Sequence, residues 1–224
     1  MKTFQDLQEG VYDPNILKAF FLAGGPGSGK SYVVQRGAGG LGMKIVNSDD
    51  IFEKYIDDAG MTWKMNTKLG KEQEVDRDKL RARAKEVANK QKANYVEGRL
   101  GLIIDGTGKN YEKIAYQARE LQQLGYDTHM IFVNTSLDTA LERNANRPRS
   151  VKETIVVGSW KEVQANIGKF SQFFRRNFIV VDNNDADEDV FASVYKQIMH
   201  LAKSKVQNTL GRQWIAKELE LKRR

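Results

Sequence analysis

Residues Gly24 to Ser31 read Gly-Gly-Pro-Gly-Ser-Gly-Lys-Ser and satisfy every fixed position of G-x-x-x-x-G-K-[ST], directly after the apolar run Ala19-Phe20-Phe21-Leu22-Ala23. No other feature restricts the fold as tightly, because such a loop works between a buried strand and the start of a helix. Its glycines let successive backbone N–H groups converge on a phosphate, Lys30 adds a mobile positive charge, and the Ser31 hydroxyl is placed to complete a Mg²⁺ shell. A nucleoside triphosphate is the ligand this segment suits. Gly25, Pro26, Gly27, Ser28, Gly29, Lys30 and Ser31 are therefore the candidate nucleotide cradle. A glycine-rich turn without a ligand is the alternative.

Along the chain, short apolar runs alternate with longer helical patterns, the arrangement of a parallel sheet covered on both faces. Strands are expected near 19–23, 44–47, 101–105, 128–134 and 177–182, each followed by a helix, giving an α/β fold with five parallel strands. With 224 residues, 40% of them hydrophobic, there is enough apolar material for one sizeable core. One domain is expected over 1–203, with a basic tail or docking helix at 204–224. The chain has no cysteine, which excludes disulfides, thiolate metal sites and thiol nucleophiles and leads to the expectation of a reducing, cytoplasmic location. No apolar stretch approaches about 18 residues, and the first residues lack the layout of a signal peptide, so no membrane partner is expected. The net charge of +7 favours a polyanionic partner without naming one. His129 and His200 lie far apart, and neither is placed like a catalyst or metal ligand.

In open parallel sheets ligands bind beyond the carboxyl ends of the strands. After the second strand comes Asn47-Ser48-Asp49-Asp50, where a carboxylate is placed to accept the proton of an attacking hydroxyl or to hold that hydroxyl in line. Capping of the next helix by Ser48, Asp49 or Asp50 is the competing use. After the third strand, Asp105-Gly106-Thr107-Gly108 puts an acid where a P-loop protein keeps its Mg²⁺-associated carboxylate, with a turn aspartate as the alternative. Thr107 and Lys109 lie near it. The helix after the fourth strand runs into Arg143-Asn144-Ala145-Asn146-Arg147-Pro148-Arg149, and Pro148 is expected to interrupt it. This reads as an arginine-bearing lid at about 143–153. Arg143 and Arg147, spaced i, i+4 on one face, are candidates to neutralise phosphate charge, with Arg149 as a helper, and a solvated basic turn is the alternative.

The order of these parts resembles P-loop kinases of the polynucleotide kinase and zeta-toxin group: the Gly-x-Pro-Gly-Ser-Gly-Lys-Ser loop, Asn-x-Asp-Asp after strand two, an acid after strand three, then Arg-Asn-x-x-Arg. The likeness spans 19–182. It implies a three-layer P-loop NTPase of the nucleotide-kinase type, in which Lys30 with Ser31 handles ATP and Mg²⁺, Asp49 is the general base, and Asp105 is the strand-three acid. It further implies that Arg143 and Arg147 are phosphate-contacting lid residues, with Arg149 outside that pair. One position departs from the group. Where the polynucleotide kinases place an arginine for the acceptor's phosphate, three residues after Asp49, this chain has Phe52. The implied acceptor is then a nucleic-acid end or a nucleotide-type small molecule such as a nucleotide sugar. A nucleotide-gated nucleic-acid-binding module and an ATPase without an acceptor are the rival readings.

Three stretches carry less. From Ala59 to Asp78 no apolar periodicity is visible, and Met61, Trp63 and Met65 suggest either a cap on an acceptor pocket or a surface insertion. Residues 77–97 are helical in composition, with charges read as a solvated face and no catalytic role. A polar turn at 183–187 precedes an amphipathic helix at 190–202. Beyond it, basic residues interleaved with Trp214, Ile215 and Leu219 fit a helix lying on the body or an anion grip.

Overall fold

The computed structural model describes residues 11–33, 41–61, 71–147, 150–185 and 188–223. The five apolar runs form one sheet: β1 (Lys18–Ala23), β2 (Lys44–Val46), β3 (Leu102–Ile104), β4 (Asp127–Asn134) and β5 (Phe178–Asp182), in the order β2-β3-β1-β4-β5. Every pairing is parallel, with Phe20 opposite Ile103 on one side and His129 on the other. The strand ends fall within one residue of those read from the sequence.

Helices follow the strands. α1 begins at Lys30, with residues 30–33 described; then come α2 (Ser48–Asp58), α3 (Lys71–Glu97), α4 (Tyr111–Gln123), α5 (Leu137–Ala145), α6 (Glu153–Phe174), α7 (Glu188–Lys203) and α8 (Thr209–Leu221). β1 is buried along its whole length because both of its faces are covered. Ala19, Phe21 and Ala23 join Ile114, Ala118, Val163 and Phe170 on the α4 and α6 side. Phe20 and Leu22 join Val33, Val194 and Ile198 on the α1 and α7 side. Full burial of each large side chain contributes roughly 1.5–3 kcal/mol, so this central strand sets the position of the loop that leaves its end. None of the described helices is long and apolar enough to cross a membrane.

α3 starts six residues before the position expected from composition. The segment 71–76 holds a single apolar residue, the exposed Val75, too little to mark a periodic face, and its Lys, Glu and Gln favour helix without a buried stripe. The helix packs on α2 through Leu80 and Ala84 against Phe52 and Ile56, with Met61 joining them; Trp63 and Met65 lie outside the described residues. At the C-terminus, 209–221 is helical, capped by the Asn208 side chain, which accepts from the amides of Leu210 and Gly211. Trp214, Ile215 and Leu219 pack on the α4/α6 core, so this segment docks on the body. Asp127 anchors its approach: Oδ2 accepts from Lys18 Nζ and the Gln207 amide, and Oδ1 from the Asn208 amide, each at 2.8 Å.

Candidate active site

The glycine-rich loop is wedged between the start of α5 and the turn after β5. Gly27 has φ +80° and an added Cβ would overlap the Ala140 carbonyl; Gly29 has φ +82° and an added Cβ would overlap the Asn183 side-chain amide. Only glycine tolerates both the left-handed backbone and the approach. Asn183, buried, donates from Nδ2 to the Ser28 carbonyl at 2.8 Å while its own amide donates to the Asn134 carbonyl at 2.8 Å. One side chain thus ties the loop to the ends of β4 and β5. On local pattern alone this residue belongs only to a polar turn.

Lys30 leads α1, and its Nζ donates to the Gly24 carbonyl at 2.6 Å, folding back over the loop. Burial lowers its pKa below 10.5, and the nearby Arg147 guanidinium acts in the same direction, while the carboxylates of Asp105 and Asp49 oppose both. The Ser28 hydroxyl is buried without a partner, and Ser31 is exposed at the helix start.

The acids converge from two neighbouring strands. Asn47 is the N-cap of α2: its Oδ1 accepts from the Asp49 amide at 2.8 Å and its Nδ2 donates to Asp50 Oδ1 at 2.7 Å. The cap is therefore none of Ser48, Asp49 or Asp50, and both aspartates sit in the first helical turn. Asp50 has a raised pKa through burial, then through Glu53 and Asp105, with the Asn47 hydrogen bond acting against them. The Asp105 amide donates to the Val46 carbonyl at 3.1 Å, which holds this residue beside the end of β2. Its Oδ1 is buried without a hydrogen-bond partner. Burial raises the Asp105 pKa above 3.8; the Lys30 ammonium pulls it down, Asp49 pushes it up, and the Gly106 amide pulls it down.

The arginines separate. α5 stops at Ala145 with Asn146 as C-cap, so Arg143 and Arg147 do not share a helical face as their spacing suggested. Arg143 donates from Nη1 to the Asn183 carbonyl at 2.6 Å and from Nη2 to the Asn184 carbonyl at 2.9 Å. Its fork is spent on the backbone beneath the loop. Arg147 lies past the helix end, exposed and within electrostatic reach of Lys30. Pro148 and Arg149 lie outside the described residues. The Asn144 side chain exchanges two hydrogen bonds with the Val151 backbone, at 2.9 and 3.1 Å, pinning the far end of this connection.

A cavity of about 320 Å³ opens beside Asp105, between α3 and α4. Lys85, Asn89 and Lys92 of α3 line it, as do Lys113 and Gln117 of α4. Composition alone assigns α3 no role at the site. The spacing 85, 89, 92 marks one helical face, but composition does not say whether that face meets water or a cavity. Among the described residues no group of three or more His, Asp or Glu side chains could hold a metal ion. Among the described residues, the orphaned Asp105 Oδ1 and the exposed Ser31 hydroxyl are two oxygens that fit a cation, and with so few protein oxygens most of those around a divalent ion here would come from a bound phosphate chain and water.

The family model described as AAA domain (AAA_33) matches residues 20–169, more than half of the chain and every element of this site except the turn after β5. The chain belongs to this AAA domain family. A comparison with curated proteins finds no match. Among solved structures, this AAA domain is similar to a candidate kinase from Chloroflexus aurantiacus J-10-fl, at 16% identity and TM-score 0.52 over 85% of this chain and 99% of that one. It is similar to the AvrRxo1-ORF1:AvrRxo1-ORF2 complex with ATP, at 12% identity and TM-score 0.57 over 85% of this chain and 65% of that one. It is also similar to a chain of the Pnkp1/Rnl/Hen1 RNA repair complex, at 14% identity and TM-score 0.51 over 75% of this chain and 49% of that one. These likenesses establish the fold, a P-loop NTPase of the kinase-like type.

Proposed function

We propose that this AAA domain is an ATP-dependent kinase that transfers the γ-phosphate to a hydroxyl acceptor. The observation that carries the reading is the convergence of Lys30, Asp49, Asp105 and Arg147 at the carboxyl end of β1, β2 and β3. The glycine loop and Lys30 hold the triphosphate; Asp49 takes the acceptor's proton as its oxygen bonds to the γ-phosphorus and the bridging bond to ADP breaks. Arg147 adds positive charge from the lid, and Arg143 positions the loop through Asn183 and Asn184 instead of gripping phosphate. Arg149 is kept as a further lid candidate on its sequence position. Ser31 and Asp105 would hold Mg²⁺, which when bound neutralises charge on the phosphate oxygens.

A half-buried lysine whose charge is opposed by desolvation and favoured by two carboxylates is a group that gains from a bound anion, which supports the cradle assignment for Gly25 through Ser31. The similar AvrRxo1 fold was solved with ATP, which supports that nucleotide. Within the zeta-toxin and polynucleotide kinase group the acceptor class turns on Phe52. This side chain is buried, 2% exposed, with the Arg81 guanidinium over its ring at 4.8 Å, so it offers a polymer's phosphate nothing. The reading favoured is a small-molecule acceptor over a polynucleotide 5′-end.

The test is transfer of label from [γ-³²P]ATP to a panel of 5′-hydroxyl RNA and DNA, nucleosides, nucleotides and nucleotide sugars, in wild type and Asp49→Asn. Labelled acceptor in wild type and at least a hundredfold loss in the variant is expected. Release of free phosphate with no labelled acceptor would establish an ATPase, and nucleotide binding without any turnover a nucleotide-gated module.

A further inference from the structure

The cavity beside Asp105 carries a charge pattern that the nucleotide cradle does not need. Its floor is apolar, with Phe21, Val46 and Ile104 at the base. Its walls bring Lys85 and Lys92 from α3, Lys109 from the loop after β3 and Lys113 from α4 around one carboxylate, Asp105. Lys109 is engaged with Glu162 at 3.3 Å. Lys92 is half-buried, and its pKa is lowered by that burial; the Glu120 carboxylate opposes the shift, and the like charge of Lys113 adds a smaller push downward. Two ammonium groups that face one another across a partly desolvated space repel unless an anion lies between them. A phosphate is the anion such compact point charges suit, and the side-chain amides of Asn89 and Gln117 stand beside it as further donors.

Resting on the kinase reading above, we propose that this cavity is the acceptor subsite and that it takes a small alcohol already carrying a phosphate, held between Lys92 and Lys113, with its hydroxyl turned toward Asp105 and Asp49. The hydroxyl oxygen bonds to the γ-phosphorus of ATP, the bond from that phosphorus to the bridging oxygen breaks with its electron pair leaving on ADP, and the hydroxyl proton passes to Asp49. The product is a doubly phosphorylated alcohol. The volume, about 320 Å³, lies at the lower end of small-ligand sites, which span roughly 300–1,000 Å³. It accommodates a compact molecule of sugar-phosphate size, not a stretch of polymer. Asp105 lines this cavity and also interacts with Lys30, so it stands on the boundary between the two substrates.

The test separates this proposal from the reading beneath it. Protein is first saturated with the non-hydrolysable analogue AMP-PNP and Mg²⁺, which fills the glycine loop; failure of that binding would strike the kinase reading itself. Glycerol 3-phosphate, ribose 5-phosphate and glucose 6-phosphate, each beside its phosphate-free alcohol, are then titrated calorimetrically into wild type, the Lys92→Gln/Lys113→Gln double variant and Lys79→Gln. Lys79 lies on the same helix away from the cavity, paired with Asp76. At least one phosphate ester is expected to bind tenfold or more tightly than its parent alcohol, with that preference lost in the double variant and kept in Lys79→Gln. Thermal melts confirm that the double variant is folded, and single Lys92→Gln and Lys113→Gln variants serve in its place if it is not. No preference for the esters in wild type, or an undiminished preference in the folded lysine variants, overturns the proposal. So does preferential labelling of a 5′-hydroxyl DNA oligonucleotide over all three esters in the presence of [γ-³²P]ATP.

Discussion

A lysine and an aspartate stand at each of the two ends of the sheet, buried at the amino end and half-buried at the carboxyl end, and the two ends treat them differently. At the amino end Lys18 and Asp127 meet at 2.8 Å, and their remaining capacity is filled by Ser204, the Lys205 carbonyl and the amides of Gln207 and Asn208. At the carboxyl end Lys30 turns to the Gly24 carbonyl, Asp105 keeps an orphaned buried oxygen, and both groups have pKa values displaced against their charged forms. The first arrangement is complete in itself and serves to hold the C-terminal segment in place. The second is completed only by something that brings charge of its own, which is how a site differs from a staple made of the same two residue types.

The contrast breaks most sharply under substitution. Lys30→Ala and Asp49→Asn are each expected to lower phosphoryl transfer by about 10²–10⁴-fold while leaving the melting temperature near that of wild type, measured by single-turnover kinetics and calorimetry. Asp127→Ala inverts this. It strands Lys18 and two backbone amides, with an expected loss of about 3–5 kcal/mol in urea unfolding and an unchanged KM for ATP wherever the protein remains folded.

Acid stability isolates a third buried group. His129 is stacked on Phe20 with ring centroids 4.7 Å apart and neither ring nitrogen partnered, and burial pulls its pKa from 6.5 to about 4. Between those values the unfolded chain binds more protons than the native one, so stability is whole above pH 6.5 and falls as pH drops toward 4, by about 3 kcal/mol in all. His129→Phe should remove that part of the slope from a series of unfolding curves. The smallest effect is expected at Asp105, whose raised pKa has the opposite sign: stability falls as pH rises from 3.8 through its folded value. Asp105→Asn should therefore melt slightly higher than wild type at neutral pH, lose that advantage below pH 3.8, and turn over poorly at every pH. A lower melting temperature at pH 7 would mean that the carboxylate is as well satisfied as Asp127.

How much of this was readable in advance follows from the range of each interaction. The strands, the loop and the acids at strand ends were legible because each is a local pattern: an apolar run, a fixed motif, a carboxylate directly after the run. The capping role of Asn47 was missed although it is also local, since four successive polar residues compete for one position and only the backbone geometry chooses among them. The backbone partners of Arg143 and Asn183 are invisible to a local pattern because they lie 40 and 155 residues away. The lysine face of α3 shows the same limit from the other side. Its spacing was visible, but whether a polar helical face meets solvent or a cavity depends on α4 and the β3 loop standing opposite.

The Gly24 amide donates to the Thr107 carbonyl at 3.0 Å, and Thr107 belongs to the wall of the cavity two residues beyond Asp105. One hydrogen bond thus links the loop proposed to grip a triphosphate to the rim that would seat its recipient. A nucleotide that drew Gly24 toward itself would carry that rim with it, so occupancy of either compartment would be felt in the other without any travelling domain.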